Sequence, residues 1–407
     1  MFKSYKSIVS TLQWRYIVVV LLIFAVAATV MIPISDHNVR KSQVNTLERH
    51  LDDVAAARSK ALLATLDRLK KDAYFLSGTP PISGIIRASR NNGFDEREKS
   101  SLQIWSKRLQ EIFVSYLETH PSVMQVRYIG VGEGGKELVR VDRKDGRIRK
   151  IKAGGLQQKS DSEYFKEAIT RHAGEVYVSE INLNREYGEI EEPHVPTLRL
   201  ATPIVDDNHR VFGILVINLN MEEIFRTLSS ELESYENIYV LNSEGDFLLH
   251  PVQEKAFGFE LGKHYRWSDE FSTGDDDTDS AFIRLDNQEV VHAILRTITY
   301  DTNRSIDLVV TAPNTVIDDA VAAARLFNLY ILFGFVALSL VFLYLVAANL
   351  RRRAQADQQN ARMAAIVDGT DDAVVSKSLS GVVQSWNRAA EEMFGYKASQ
   401  AIGKNMT

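Results

Sequence analysis

The sequence predicts an α+β protein in which two tandem strand-rich modules hang on one long helix between two transmembrane helices, with the opening of a further domain behind the second span. Three observations predict it. Two runs are apolar over the width of a membrane: residues 16–34, YIVVVLLIFAVAATVMIPI, without a charge, and residues 326–348, with Asn328 as the one strongly polar break. Apolar residues then recur at helical spacing from Asp36 to Leu76. Between that stretch and the second run, short β-rich segments divided by turn residues come in two successive sets.

Either apolar run can cross a hydrocarbon core of about 30 Å at about 1.5 Å per residue. Lys3, Lys6 and Arg15 precede the first run and Arg351, Arg352 and Arg353 follow the second. The positive-inside bias puts both termini in the cytoplasm and residues 36–325 outside, although Arg40 and Lys41 weaken the signal at the first span. A cleaved leader is the competing reading of the first run. Its length, and the lack of a small-x-small cleavage site behind it, speak against that.

The outer segment opens with the amphipathic helix, whose apolar stripe is Val44, Leu47, Leu51, Val54, Leu62, Leu66, Leu69 and Ala73. Gly78 to Pro81 stops it. A second helix fits residues 96–118, with Leu102, Trp105, Leu109, Ile112, Phe113 and Tyr116 inward. Strands at 123–131 and 137–142 flank a turn at Gly132 to Gly135, and Asp145-Gly146 makes the next turn. A helix at 163–172 leads to strands at 175–179, 197–205 and 211–218. The same texture then repeats: a helix at 221–234, a hairpin at 237–241 and 246–250, and strands at 280–285, 289–297 and 305–311. Antiparallel strands backed by helices make an α+β module.

Composition excludes several functions. A net charge of -5 over 407 residues, with no basic stripe, argues against a nucleic-acid partner. The absence of cysteine removes disulfides, thiolate metal sites and cysteine nucleophiles. Asp275, Asp277 and Asp279 alternate like a calcium loop, but Ser280 stands where such a loop needs glycine, so a solvated loop is expected. His172 and His194 lack a helical His-x-x-x-His partner. No metal, no cofactor and no catalytic residue is therefore expected in this chain.

Polar aromatic, cationic and acidic residues concentrate in residues 156–203. Arg185 and Arg199 can grip a carboxylate through two parallel charge-assisted hydrogen bonds. Tyr164 and Tyr177 offer an apolar face with a hydroxyl tip, which suits a small-ligand pocket. The structural alternative is that these arginines pair with Glu186, Glu189, Glu191 and Glu192 and that the tyrosines are half-buried core.

The organisation of residues 36–317, with the phrases LQQKS, GEVYVSEINLNRE, IEEPHVPTLRLATPI and FLLHP, resembles the double Cache sensor domain of bacterial transmembrane receptors. The resemblance implies two PAS-like Cache modules, a membrane-distal one at about 115–218 that holds a small-molecule ligand and a proximal one at about 236–312 that relays the change. Amino-acid-binding members carry an Arg-x-Trp-Tyr run. Here Arg127 and Tyr128 are present, but no tryptophan lies between Trp105 and Trp267. The candidate ligand residues are Arg127, Tyr128, Tyr164, Tyr177, Asn184, Arg185 and Arg199, a set that fits a carboxylate or another small polar anion.

Behind the second span, residues 349–362 read as a helical signalling linker, and residues 363–407 resemble the first part of a PAS domain. Trp386, Asn387, Ala390, Glu391, Phe394, Gly395 and Tyr396 carry that resemblance. A PAS domain needs about twice this length, so the sequence reads as part of a longer protein. Together the two resemblances imply a two-pass receptor of the bacterial inner membrane, expected to be a homodimer. Its output would be a histidine kinase acting on a response regulator, or a diguanylate cyclase. A chemoreceptor, or an anchored binding or adaptor protein without enzymatic output, is the alternative.

Overall fold

The computed structural model describes residues 2–273, 282–285 and 289–405; the Asp275 to Asp279 loop lies outside the described residues. Its Cα atoms form two compact units, residues 40–320 and the segments 1–39 with 321–407.

Helix α1 (Phe2–Ser77) carries both the first apolar run and the amphipathic stretch. No glycine occurs before Gly78, so nothing but Pro33 interrupts the helical preference. Leu47, Leu51, Ala55, Leu62, Leu66, Leu69, Ala73 and Leu76 are buried, at steps of three, four and seven that keep them on one side. The apolar stripe is thus consumed within the chain.

Helix α2 (Pro80–Arg90) is an addition to the expected elements. Its two prolines read as a breaker, yet Pro80 sits at the first helical position, where the missing N–H costs nothing. Helix α3 (Leu102–Thr119) starts later than expected, because Phe94–Asp95 pairs with Ser100–Ser101 ahead of it. The Ser101 hydroxyl then caps it, accepting from the Ile104 N–H at 3.3 Å. Buried Asp95 accepts from Arg87 Nη2 at 2.8 Å and from Trp105 Nε1 at 3.1 Å. Gly84 lets α2 and α3 approach: a Cβ there would lie 2.3 Å from the Trp105 ring.

The distal sheet comprises β1 (Val123–Gly130), β2 (Glu137–Lys144), β3 (Arg147–Lys150), β4 (Tyr177–Val178), β5 (Asn182–Leu183), β8 (Pro196–Val205) and β9 (Val211–Asn220). Its order is β3-β2-β1-β9-β8-β4, with β5 also paired to β8. Helix α4 (Glu163–Ala168) lies between β3 and β4 in the chain. A separate two-stranded hairpin, β6 (Arg185–Glu186) with β7 (Glu189–Ile190), stands off the main sheet.

Helix α5 (Met221–Leu228) leads into the proximal sheet. Its strands are β10 (Asn237–Leu241), β11 (Phe247–Leu249), β12 (Phe271–Thr273), β13 (Phe282–Leu285), β14 (Val290–Asp301) and β15 (Arg304–Pro313), in the order β11-β10-β15-β14-β13-β12. Both sheets follow one antiparallel plan. The first strand of each module lies between the second and the last.

Polar contacts tie the two modules together. At the turn between β14 and β15, Asp301 accepts from the Val178 N–H at 3.2 Å and Arg304 Nη2 donates to Glu163 at 2.6 Å. Lys70 of α1 donates to the Tyr300 carbonyl at 2.7 Å. Glu260 accepts from the Leu183 N–H at 2.6 Å and pairs with Arg185 at 3.2 Å.

In the other unit, helix α6 (Thr315–Gly369) contains the second apolar run and continues through the linker. Arg325 pairs with Asp36 at 2.6 Å, and Asn328 donates to Ser35 Oγ at 2.8 Å. The strands β16 (Val375–Lys377) and β17 (Val383–Trp386) precede helix α7 (Arg388–Phe394). Asn387 caps α7, accepting from the Ala390 N–H at 2.9 Å, and its amide donates to the Val367 and Asp372 carbonyls at 2.8 and 3.0 Å. Trp386 donates to the Tyr396 carbonyl at 3.0 Å. These bonds give the Trp-Asn pair its role: it locks the helix, the hairpin and the loop after α7 to one another.

Candidate ligand site

The site begins with strand alternation. In β1, Gln125 and Arg127 point to one face of the distal sheet and Tyr128 to the other. Register carries the polar residues across: Asp142 of β2, Gln125 of β1, Asn218 of β9 and Arg199 of β8 stand directly opposite one another in sequence across four strands. In the adjoining row Arg140 faces Arg127. A buried sheet face normally presents apolar residues, so a row of this kind needs internal partners.

Arg127 Nη1 donates to Tyr164 Oη at 3.0 Å and lies 3.4 Å from a Glu137 carboxylate oxygen, while Nη2 donates to Asn218 Oδ1 at 2.9 Å. Arg199 donates to two amide oxygens, Asn182 Oδ1 at 2.6 Å and Asn184 Oδ1 at 3.2 Å. Among the described residues it has no carboxylate partner. Both guanidinium carbons lie over the Tyr164 ring, 5.1 Å and 5.9 Å from its centroid. Arg140 is held by Asp142 at 2.8 Å and by Glu186 at 3.0 Å.

The electrostatics show the cost of this arrangement. Burial, with Arg127 nearby, pushes Arg199 down to about 10. Burial and Arg127 also lower Lys159 below its ordinary value. Burial would raise Glu186, but Arg140, the Gln157 hydrogen bond, Arg127 and Lys159 outweigh it and hold the carboxylate below its usual range. Arg127 Nε is buried with no hydrogen-bond partner. Two guanidiniums on one ring, one without a counter-carboxylate among the described residues, have the chemistry to pair with an anion.

Of the expected residues, Arg127, Tyr164, Asn184 and Arg199 meet here. The other three are set apart. Tyr128 is buried on the opposite face, and burial raises its pKa. Tyr177 packs in one apolar cluster with Tyr164, but its hydroxyl is directed away and donates to Glu163 at 3.2 Å beneath the Arg304 guanidinium. Arg185 is half-exposed and pairs with Glu260. Gln125, Glu137, Arg140, Lys159, Asn182 and Asn218 belong to the cluster without having been singled out, and Glu186, named as a partner for Arg185 or Arg199, pairs with Arg140 instead. The readable signal was polar residues two apart on strands, Gln125 with Arg127 and Arg140 with Asp142.

Comparison with known proteins agrees with this architecture. Residues 97–273 match the family model described as bacterial histidine kinase, sensor domain, and residues 361–407 match the PAS fold. The extracellular domain of vpHK1S-Z8, described as a histidine kinase, superposes with a TM-score of 0.50 at 17% identity, over 70% of this chain and 95% of that one. A domain of a sensory box/GGDEF family protein from Vibrio parahaemolyticus superposes with a TM-score of 0.51 at 17% identity, over 70% of this chain and 99% of that one. No curated protein matches in sequence. Residues 97–273 are therefore similar to a sensor domain of the histidine kinase type; they lie between two apolar helices, and a segment similar to the PAS fold follows.

Proposed function

We propose that this sensor chain is a two-pass receptor of the bacterial inner membrane, which binds a small carboxylate in the distal module and reports occupancy to a PAS-linked output. The observation that carries the ligand class is the pair of buried guanidiniums on Tyr164, with Arg199 facing amides alone. Burying a cation without a carboxylate costs several kcal/mol, and an incoming anion recovers part of that. The kinase description of the family model favours a histidine kinase as output and a response regulator as its partner; a diguanylate cyclase is the second reading. The charge bias around the two runs supports an outer position for the sensor domain. A reporter at Gly188 should behave as periplasmic and one after Arg353 as cytoplasmic.

The ligand test uses Arg127→Ala and Arg199→Ala in the chain reconstituted in lipid nanodiscs, with thermal shift read against small carboxylates, amines and sugars. Loss of one guanidinium from the pair costs about 2 to 5 kcal/mol of binding. The lower value is a roughly thirtyfold loss of affinity. The expected result is a carboxylate response abolished in both variants. A response unchanged in both would move the site away from this face and remove the case for an anion.

A homodimer accounts for transmission through α1. Because Leu51, Leu62 and Leu66 are spent inside the chain, pairing must use the opposite side. Single cysteines at Asp53, Ala57, Lys60, Ala64 and Asp67, in this cysteine-free background, should crosslink with a helical period. A flat pattern would exclude α1 as the contact.

A further inference from the structure

Every cation of the polar cluster and two of its three acids sit on the sheet or its main-chain supports, but the third acid arrives differently. Glu186 is carried by the hairpin β6–β7, which among the described residues pairs with no other strand. Its tip, Tyr187, is 79% exposed. Two-residue strands of this kind have little stability of their own. Main-chain bonds hold its base, from the Asn184 N–H to the Val195 carbonyl and from the Glu191 N–H to the Asn184 carbonyl, each at 2.9 Å, and its outer part is held by what its side chains grip.

What Glu186 grips is a set of donors next to the Arg127–Arg199 pair. Its carboxylate accepts from Arg140 Nη2 at 3.0 Å and Nη1 at 3.3 Å, from Gln157 Nε2 at 2.7 Å and from Gln125 Nε2 at 3.4 Å. Gln125 in turn receives the Asn218 amide at 3.1 Å, and Asn218 accepts from Arg127. Glu186 is thus linked by hydrogen bonds to the guanidinium that stacks on Tyr164. Arg140 does not depend on it: Asp142, fixed on β2, binds Arg140 Nε at 2.9 Å and Nη2 at 2.8 Å. Withdrawing Glu186 leaves Arg140 paired. Four cations, Arg127, Arg140, Lys159 and Arg199, share three acids, Glu137, Asp142 and Glu186, so one positive charge is already uncompensated and Glu186 balances a second.

We propose that Glu186 is a tethered surrogate for the ligand: its carboxylate holds part of the cationic cluster in this state, and a bound monocarboxylate competes it away and releases the hairpin. This rests on the carboxylate reading of the same site and adds its regulation. Release has a direct route onward. Arg185, the neighbour of Glu186, pairs with Glu260, whose other oxygen accepts from the Leu183 N–H. Glu260 belongs to the proximal module's side of the chain, so loosening β6 loosens a contact between the modules.

The test compares wild type, Glu186→Gln, Asp142→Asn and Arg199→Ala in nanodiscs, with acetate, propionate, lactate and benzoate as probes and chloride as the ionic control. Affinity is measured by calorimetry and hairpin release by hydrogen exchange over residues 183–191. Glu186→Gln is expected to bind at least one probe about tenfold more tightly than wild type, and to raise exchange over 183–191 without any probe. Asp142→Asn removes the same charge from a fixed strand, and is expected to leave that exchange unchanged. Probe binding to wild type should raise exchange as Glu186→Gln does. Equal affinities in wild type and Glu186→Gln, or exchange over 183–191 that stays constant or falls on binding, would overturn the surrogate while the site stands. Equal tightening in Asp142→Asn with an undisturbed hairpin would also overturn it, since bulk charge then suffices. Probe binding that survives Arg199→Ala would instead overturn the site. No probe binding even in Glu186→Gln would overturn both.

Discussion

The distal and proximal sheets share a strand plan and each buries an apolar cluster, but the distal one sets charge beside its cluster of Ile129, Tyr164, Phe165, Ala168, Tyr177, Ala201, Ile214 and Val216. The distal sheet turns Gln125, Arg127, Arg140, Arg199 and Asn218 toward α4, and Tyr164 lies among them. The proximal sheet packs Tyr239, Phe247, Phe271, Val291, Ala293 and Val309 into one apolar cluster. There Trp267 stacks on Phe271 at 3.8 Å between ring centroids, and Tyr239 meets Trp267, Phe271 and His250 edge-on at 5.4, 5.5 and 5.2 Å. Aromatic contacts of this kind add about 0.5–1.5 kcal/mol each beyond burial. The proximal face is spent on cohesion, which suits a body that passes on a displacement. The distal face adds buried charge to its apolar cluster, and under the proposed function that charge is where a ligand would bind.

The sharpest way to break this contrast is a pair of substitutions. Phe247→Ala should cost about 3–5 kcal/mol through the cavity it leaves. Arg199→Met should leave thermal stability unchanged or raised, because a buried cation without a carboxylate is replaced by an apolar chain of similar length. The carboxylate response should nevertheless vanish. Melting curves with and without probe read both effects, and a large stability loss in Arg199→Met would mean that the distal face is structural after all.

A smaller effect locates where the distal module does gain its cohesion. Gly84→Ala drives a Cβ into the Trp105 ring, and overpacking of this kind costs about 1–3 kcal/mol. If melting is insensitive to it, α2 and α3 are not the distal module's anchor.

The smallest effect separates the modules by acidity. Asp95, beside Arg87, and Asp206, beside the Arg210 backbone and Arg90, are held at about 2. A depressed carboxylate contributes stability above its ordinary value near 3.9 that is lost as pH falls toward about 2. His250 in the proximal module is lowered by burial, against the pull of Glu270. It is buried neutral, so its contribution is complete above about 6.5 and fades as pH falls below that. The proximal signal should therefore loosen first on acidification, and His250→Gln should remove that early phase while Asp206→Asn should affect the acid limb alone. Tryptophan emission from Trp267 and Trp105 distinguishes the two. The reverse order would contradict the assignment.

Much of the architecture could be read from the chain. The apolar runs, the stripe from Leu47 to Ala73, the hairpin turns and the Trp386-Asn387 pair depend on composition, on period and on neighbours a few residues away. The period of two even implied that Arg127 and Tyr128 part company, since successive residues of a strand point to opposite faces. What no local pattern contains is which face is covered and by what. Arg199 reaches Tyr164 because β8 crosses back beside β9 under α4, and Arg140, unremarkable in sequence, enters the cluster because β2 lies in register with β1. Arg185 and Arg199 look alike as residues, and both flank the same acidic stretch. Only the tertiary structure decides that one is half in solvent against Glu260 and the other buried, because burial of a charge is set by the elements that close over it and not by the residues beside it.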